Sequence, residues 1–297
     1  MKKVSFAEFG GPDVLRLIDA EEPHAGPGRI RVAVRAAGVN PVDWRIREGQ
    51  VLGAHPITLP SGVGLDAAGI VDEVGEGVEG VGIGDRVFGE GVDTYAEFAV
   101  LSAWAPMPEG LTFEEAAGYP SVVETALRII RECGVWPGQT LLVSGASGGV
   151  GSAVLHIARE RGIRVIGTAG AANQDYLRTL GAVATTYGEG WVERVRLLGP
   201  VDAALDLAGS GVLRELVALT GDPGKVVSIA DLAAPEFGVR FSGVAGSVPE
   251  ALAVAADLIA RGELHIPVEK AYALADAAAA HIDSQAGHTR GRRVLVV

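Results

Sequence analysis

Short runs of alternating apolar and polar side chains, such as residues 30–34, recur from residue 1 to about residue 115. Alternation with a period of two is typical of strands that bury one face. Glycines close many of these runs, as in residues 71–87, where the turns between strands need positive φ angles. The pattern predicts that this part of the chain is mostly β.

From about residue 114 the apolar positions take on helical spacing, and strand-like and helix-like segments then alternate. Helical spacing covers residues 116–133, and the later predicted helices cover residues 150–161, 174–180, 191–197, 211–219 and 249–261. The predicted strands cover residues 140–144, 163–168, 182–187, 201–205, 225–229, a possible sixth at 239–242, 267–272 and 293–297. Strands at this spacing, joined by short helices, predict an α/β domain with a parallel sheet and right-handed crossovers.

Composition and charge narrow the class of protein. The chain has 297 residues, of which 48% are hydrophobic and 21% are charged, as is typical of a globular protein. Its formal net charge of −12 repels a phosphate backbone and anionic lipid, so we expect neither a nucleic acid nor a membrane as partner. Glycine supplies 42 residues, about twice its ordinary share, which indicates many tight turns or close backbone approaches.

The single cysteine, Cys133, bears on the compartment and on metals. One thiol forms no internal disulfide and supplies no cysteine-rich metal site, so we interpret it as a small buried hydrophobe. The six histidines show no ligand spacing, and we predict no metal site. Two lysines near the N-terminus are followed by acids and glycines where a signal peptide needs an apolar run, so we expect a cytoplasmic location.

A glycine-rich segment joins the predicted strand at residues 140–144 to the helix after it, and it is the most informative motif of the chain. It matches Gly/Ala-x-Gly-x-x-Gly, with Ala146 in the tight turn, Gly148 where the backbone approaches a pyrophosphate, and Gly151 where helix and strand pack closely. Unpaired N–H groups at the helix start would hold the phosphates. The predicted cofactor-binding residues of this segment are Ala146, Ser147, Gly148, Gly149, Val150 and Gly151.

The same segment also satisfies the Gly-x-Ser-x-Gly pattern of α/β-hydrolases, with Ser147 as the nucleophile. Later acids and histidines follow in the required order. That interpretation gives no role to Gly151, and no His-Gly-Gly-type oxyanion segment precedes the serine. An esterase that uses Ser147 is therefore one alternative, and a nucleotide-binding sensor without turnover is another.

The segment after the second predicted strand of the sheet bears on the choice of cofactor. Folds selective for NAD usually place an acid about twenty residues after the first glycine to bind the ribose hydroxyls. Residues 167–174, which include Thr168 and Asn173, have no acid there and leave room for a 2′-phosphate, so NADPH is favoured over NADH. The segment contains no lysine or arginine either. Ser228, Ile229 and Ala230 follow the fifth strand, at the edge where such sheets bind ligands.

Several short motifs recur in order along nearly the whole chain, in residues 37–43, 64–69, 74–78, 84–87, 125–126, 145–151, 180–182 and 289–295. By these motifs the chain resembles the medium-chain dehydrogenase/reductase superfamily, in its zinc-free quinone oxidoreductase branch. The resemblance implies a β-rich GroES-like catalytic domain, residues 1–117 and 264–297, with a Rossmann-type domain, residues 118–263, inserted into it. It also implies an active-site cleft between the domains, and a homodimer that extends one sheet through the sixth strand.

The chain departs from the zinc-dependent relatives. Those carry a cysteine near Asn40, a Gly-His-Glu where this chain has Gly64-Leu65-Asp66, and four cysteines for a structural zinc. The single cysteine of this chain lies far from both positions, so we expect neither a catalytic nor a structural zinc. The expected activity is a zinc-independent transfer of hydride from NADPH to a small-molecule substrate, either a quinone or an α,β-unsaturated carbonyl.

The resemblance also implies roles for individual side chains. Asn40 would lie beside the nicotinamide and the acceptor, where its amide orients either one. Asp43 either acts chemically, caps a helix or pairs with a nearby arginine, and Trp44 is either a stacking wall for a flat quinone or plain packing. Thr125 would approach the nicotinamide side or cap a helix, and Tyr187 would contact the adenine-ribose end.

Overall fold

A computed structural model describes residues 1–50, 57–243 and 246–297. Residue contacts divide the chain into a first unit, Met1–Glu124 with Ser247–Val297, and a second unit, Thr125–Gly246. The second unit is thus inserted into the first along the sequence. Among the described residues, every helix is too short or too polar to span a lipid bilayer.

The N-terminal part of the first unit is mostly β, as predicted. Its strands are β1 (Lys2–Phe6), β2 (Arg16–Asp19), β3 (Ile30–Val39), β4 (Ser61–Gly62), β5 (Asp66–Val74), β6 (Arg86–Val92) and β7 (Phe98–Pro106). Its helices are α1 (Pro41–Arg47), α2 (Phe113–Ala116) and α3 (Pro120–Cys133), of which α3 continues into the second unit.

Strands and helices alternate along the second unit. The strands are β8 (Thr140–Ser144), β9 (Arg164–Ala169), β10 (Val183–Thr186), β11 (Ala203–Asp206), β12 (Val226–Ser228) and β13 (Arg240–Phe241). The helices are α4 (Gly149–Glu160), α5 (Gln174–Thr179), α6 (Trp191–Leu198) and α7 (Leu213–Thr220). The strands form one parallel sheet in the order β10-β9-β8-β11-β12-β13, which confirms the Rossmann-type prediction and its sixth strand.

After the second unit the chain returns to the first through α8 (Val248–Ala260), β14 (Val268–Ala273), α9 (Ala277–Ala286) and β15 (Arg292–Val296). Helix α8 packs against β7, so it lies with the first unit rather than in the expected Rossmann range of residues 118–263. Helix α9 was not among the predicted elements. One-turn 3-10 helices lie at Pro12–Val14, Ala171–Asn173, Pro223–Lys225, Ala234–Phe237 and Leu274–Asp276.

Two sheets lie in the described part of the first unit. One has the order β2-β1-β4, and the other has the order β14-β15-β3-β5-β6-β7, with β3 also paired to β7. Both β5 and β15 run antiparallel to β3, so their first residues lie beside its last residues. These registers bring Asn40, Asp66 and Arg292, which are far apart in sequence, to one end of β3.

The core of the second unit lies on both faces of its parallel sheet. All five residues of β8 are buried. Leu142, Ile166, Ala204 and Val226 come from four strands of the sheet and belong to one cluster with Leu216 of α7. A strand covered on both faces has few solvent-facing positions, which explains why residues 140–144 form an apolar run without alternation.

Candidate active site

A tight turn joins β8 to α4 in the second unit. Gly145 has a φ angle of +82°, and the N–H of Ala146 donates to the carbonyl oxygen of Thr168 at 3.1 Å. A Cβ atom on Gly151 would lie 2.5 Å from the carbonyl oxygen of Ala146, a contact that real side chains do not make. Only glycine fits at residue 151, because the first turn of α4 lies close against the backbone of the turn that follows β8.

Gly148 is different, because no protein atom requires a glycine there. Its φ angle is −72°, and a Cβ atom on it would meet only the carbonyl oxygen of Gly145, at an ordinary 3.7 Å. The residue lies immediately before α4, where the N–H groups of Gly149, Val150 and Gly151 have no partner within the helix. The turn therefore has room for a ligand beside N–H groups that attract an anion.

Ser147 does not have the surroundings of a nucleophile. Its Oγ accepts a hydrogen bond from Nδ2 of Asn173 at 3.3 Å, and within the described ranges no histidine or carboxylate bonds to it. A nucleophile elbow strains the serine backbone, but Ser147 is not among the non-glycine residues with positive φ, which are Asp93 and His288 in the described part. The α/β-hydrolase interpretation is therefore wrong.

Side chains of the segment after β9 hold that segment in place through hydrogen bonds. Nε2 of Gln174 donates to the carbonyl oxygens of Ala169 at 3.0 Å and Thr185 at 3.1 Å. Asn173 reaches back to Ser147 in the glycine turn. Tyr187, just past β10, is 53% exposed. The structure thus brings Asn173 and Thr168 to the glycine turn and leaves the ring of Tyr187 accessible.

The carboxyl edge of β11 and β12 is held by a buried pair, Ser228 and Asp206. Oγ of Ser228 donates to Oδ2 of Asp206 at 2.9 Å and accepts from the N–H groups of Ala230 and Asp231 at 3.2 and 3.0 Å. Burial is the main reason why the pKa of Asp206 is raised. The hydroxyl of Ser228 therefore builds the turn that carries Ile229 and Ala230.

Thr125 lies within α3, five residues after the first residue of that helix, Pro120. It is half-buried, and its Oγ1 accepts a long hydrogen bond of 3.4 Å from Nη2 of Arg128. Because Thr125 is in the middle of α3 and not at its start, the alternative that it caps a helix is wrong.

A buried polar cluster lies at the end of β3 in the first unit. The Asn40 side chain is only 4% exposed and is bonded at both ends of its amide. Its Nδ2 donates to Oδ2 of Asp66 at 2.9 Å, and its Oδ1 accepts from Nη2 of Arg292 at 2.8 Å. These two partners give the amide a single orientation.

Asp66 and Arg292 face each other across this amide. Oδ1 of Asp66 accepts from the backbone N–H of Ser121 at 3.1 Å and from its hydroxyl, and Nη2 of Arg292 lies 3.6 Å from Oδ2. Burial raises the pKa of Asp66 and lowers that of Arg292. Sequence reasoning singled out Asp66 only as a missing zinc ligand and did not single out Arg292, because no spacing pattern links residues 66 and 292.

Asp43, on α1, accepts from the backbone N–H of Asn40 at 2.7 Å and from the hydroxyl of Tyr95 at 2.9 Å. Burial raises the pKa of Asp43 to about 7 and that of Tyr95 well above 10, so the phenol keeps its proton and donates it. Of the alternatives for Asp43, the structure shows the helix-capping contact. The expected arginine pair is absent from the described hydrogen bonds, where Arg47 bonds to Glu48.

Trp44 is half-buried on α1, and the guanidinium carbon of Arg45 lies 5.3 Å from the centre of its ring. The indole N–H of Trp44 has no acceptor among the residues that the structure describes. The arginine contact is a cation–π arrangement that covers the ring on one side. The segment 51–56, which follows α1 and belongs to a loop expected to shape the pocket, lies outside the described residues.

Comparisons with known proteins agree along the whole chain. Family profiles match as an alcohol dehydrogenase GroES-like domain over residues 26–109 and as a zinc-binding dehydrogenase over residues 180–295. A quinone oxidoreductase from Pseudomonas aeruginosa is 32% identical and covers 99% of each chain. A 2-methylene-furan-3-one reductase from Solanum lycopersicum is 31% identical over 81% of this chain and 65% of its own. The structure of Escherichia coli quinone oxidoreductase complexed with NADPH superimposes over 100% of both chains, with a TM-score of 0.86 and 26% identity.

The donor groups of the described residues do not fit the zinc named in the second profile. Zinc needs three or four N, S or O ligands, and the described residues contain no group of three or more His, Cys, Asp or Glu that could hold a metal ion. Asp66 has both oxygens bonded and the Arg292 guanidinium nearby. Burial raises the pKa of the Cys133 thiol to about 11, which disfavours the thiolate that a metal binds.

Proposed function

Because this chain belongs to the medium-chain dehydrogenase/reductase superfamily, in its quinone oxidoreductase branch, we propose that it transfers hydride from NADPH to a quinone or an α,β-unsaturated carbonyl without zinc. The observation that carries the proposal is the glycine turn, where Gly148 leaves space beside the first N–H groups of α4. The NADPH complex of the Escherichia coli relative supports the choice of ligand.

The segment after β9 supports NADPH over NADH. Residues 170–174 contain no carboxylate that would bond the ribose hydroxyls or repel a 2′-phosphate. The next acid, Asp175, is already paired with Arg178, whose Nη1 lies 2.6 Å from Oδ1 on an exposed helix surface. Gln174 is turned toward backbone carbonyl oxygens. The absence of a carboxylate from this segment is therefore the basis for the preference.

The acceptor class is supported by the chemistry of the first unit and by the relatives. A bound dihydronicotinamide supplies a hydride, and the protein supplies position and a dry environment. Asn40 would orient the reacting groups through the part of its amide that Asp66 and Arg292 leave unused. Trp44 would offer an aromatic surface to a flat acceptor. Reduction of a conjugated carbonyl also agrees with the name of the Solanum lycopersicum relative.

The proton that completes the reduction has a candidate source. Hydride addition to an enone leaves an enolate, and reduction of a quinone leaves a phenolate, so each needs one proton from outside the cofactor. Asp43 has a pKa raised to about 7 by burial, which suits a group that gives and regains a proton near neutral pH. In this role a protonated Asp43 would give its proton to the hydroxyl oxygen of Tyr95 while the phenol passes its own proton to the enolate or phenolate. Tyr95 then stays neutral, and Asp43 ends as the carboxylate to which the phenol donates.

The absence of zinc from the proposal is supported by the donor set, since Asn40 and Asp66 are bonded to each other and to a guanidinium. Assembly as a homodimer through the edge strand β13 and a cytoplasmic location complete the proposal. The edge position of β13 in its sheet supports the first, and the single buried thiol supports the second.

The test follows oxidation of NADPH and NADH at the nicotinamide absorbance band against a panel of quinones, enones and aldehydes. We expect acceptor-dependent oxidation that is faster with NADPH and that survives dialysis against a chelator. Tight NADPH binding without acceptor-dependent oxidation would instead identify a nucleotide-binding sensor. Failure to bind either cofactor would overturn the proposal.

A further inference from the structure

The Asn40 amide lies between two opposite charges that do not bond each other directly. Nη2 of Arg292 is 3.6 Å from Asp66, but each charge makes a shorter bond to the amide, 2.9 Å from Nδ2 to Asp66 and 2.8 Å from Arg292 to Oδ1. A flipped amide would place its oxygen against the carboxylate and its NH₂ group against the guanidinium. Both contacts would be repulsive, so the charges select one orientation of Asn40.

A second ion pair in the same sheet shows what a purely structural pair looks like. Arg31 on β3 bonds Asp72 on β5 directly, with Nε 3.1 Å from Oδ1 and Nη2 2.9 Å from Oδ2. This pair joins β3 and β5 at the ends of these strands that lie opposite to Asn40 and Asp66, and it has no side chain between its charges. Asp66 and Arg292 instead meet through Asn40, at the cost of burying two charges without a direct bond.

We propose that Asp66 and Arg292 are positioning residues that act through Asn40 and make it a hydrogen-bond donor of fixed direction. The inference rests on the proposed function. An amide has two N–H groups and two carbonyl lone pairs, of which the clamp formed by Asp66 and Arg292 uses one each. A cation on the amide oxygen draws electron density from the nitrogen and makes its second N–H a stronger donor.

The chemical group that such a donor recognises is a carbonyl oxygen. Two carbonyls belong to the proposed reaction, namely the carboxamide of the nicotinamide and the carbonyl of the acceptor, whose oxygen gains negative charge as hydride is added. The clamp predicts that substitution of Asp66 weakens one of these contacts. A rise in the Kd for NADPH would identify the carboxamide, and a rise in KM for the acceptor at an unchanged Kd would identify the acceptor.

A double-mutant cycle tests whether Asp66 acts through Asn40. The variants are Asp66→Asn, Asn40→Ala and the double variant, measured for kcat, KM, the Kd for NADPH by fluorescence, and Tm. We expect Asp66→Asn to lower kcat/KM by about ten- to a hundredfold in the wild-type background. In the Asn40→Ala background the same substitution should change kcat/KM less than about twofold, because the residue that it positions is gone.

Asp72→Asn is the matched control, since it removes the same negative charge from the same strand, β5, where Asp72 bonds Arg31 directly. We expect it to leave kcat/KM unchanged and its effect on Tm to add to that of Asn40→Ala. If Asp66→Asn lowers kcat/KM by the same factor with and without Asn40, or leaves kcat/KM, KM and Kd unchanged, the positioning role is overturned. Should Asp66→Asn fail to fold, Arg292→Lys replaces it in the cycle, because it keeps the charge and loses the planar donor.

A readout independent of turnover separates this inference from the proposed function. The side-chain amide of Asn40 is identified in ¹⁵N NMR spectra as the pair of signals missing from Asn40→Ala. We expect these protons to be protected from hydrogen exchange in the wild type and in Asp72→Asn, and unprotected in Asp66→Asn. A wild type without reductase activity would refute the proposed function, whereas an unprotected Asn40 amide in the wild type would refute the clamp.

Discussion

The two units carry candidate binding groups of different kinds. The second unit offers backbone groups, namely the N–H groups at the start of α4 and the space left by Gly148. The first unit offers side chains, with Asn40 held between Asp66 and Arg292 and Asp43 held by Tyr95. We call the glycine turn the backbone site and the polar cluster around Asn40 the side-chain site. A substitution that adds volume tests the backbone site, whereas a substitution that removes a charge tests the side-chain site.

The difference follows from what each part is proposed to do. A pyrophosphate carries its own charge and needs only N–H groups and room, so glycines suffice to bind it. Orientation of a reacting carbonyl needs a donor of defined direction, and a buried donor needs partners that fix it. Buried charges are costly, and the first unit tolerates them because each has hydrogen-bond partners.

The largest effect is expected from Gly151→Ala, which adds one methyl group to the backbone site. The new Cβ atom would lie 2.5 Å from a backbone carbonyl oxygen that has no freedom to move aside. We expect a loss of about 3 kcal/mol in the free energy of unfolding, together with loss of NADPH binding. Chemical denaturation and cofactor fluorescence measure the two effects, and a variant as stable as the wild type would show that α4 is not packed as described.

The next largest effect concerns Asp43 in the side-chain site and is a change in how the free energy of unfolding depends on pH. Because burial raises the pKa of Asp43 from 3.8 to about 7, the folded state keeps a proton that the unfolded state has lost. Between these two pKa values stability therefore falls as pH rises, and Asp43→Asn lacks this dependence. We expect the variant to gain about 2 kcal/mol relative to the wild type between about pH 5 and about pH 7.

The test uses the difference in the free energy of unfolding between wild type and Asp43→Asn, since the other groups titrate in both proteins and cancel. His281 acts in the opposite direction, because burial lowers its pKa to about 3 and the unfolded state gains a proton first as pH falls. Denaturation curves at each pH give the comparison. Parallel stability profiles for the two proteins would contradict a raised pKa at Asp43.

The smallest effect is expected from Gly148→Ala, which separates binding from stability in the backbone site. Its Cβ atom meets no protein atom closer than 3.7 Å at a φ angle of −72°, so the fold should tolerate it. The methyl group would enter the space proposed for the pyrophosphate, and we expect the Kd for NADPH to rise about tenfold at unchanged Tm. A variant that binds NADPH as tightly as the wild type would exclude this space from the cofactor site.

Sequence reasoning singled out the glycine turn but missed much of the polar cluster around Asn40, for one physical reason. The glycine turn is contiguous, so residues 145–151 could be interpreted by themselves. The partners of Asn40 come from β5 and β15 and meet it only through strand register. No local pattern in the sequence marks Asp66, Tyr95 or Arg292 as neighbours.

The same contrast holds for the fold. The alternation of strands and helices in the second unit was enough to predict its parallel sheet, because each element there has its own period of apolar residues. Helix α9 was not predicted, since half of its residues are alanine and few large apolar side chains define a face. The unit to which α8 belongs depends on its contact with β7, which no sequence period reports.

Transfer of deuterium from the cofactor tests the central claim most directly. The metal-depleted protein is given NADPH deuterated at the reacting nicotinamide carbon, with an enone as acceptor, and the product is analysed by mass spectrometry and NMR. We predict one deuterium at the β-carbon of the product and slower turnover than with unlabelled NADPH, without added zinc. Unlabelled product, or turnover that returns only when zinc is added, would contradict the account.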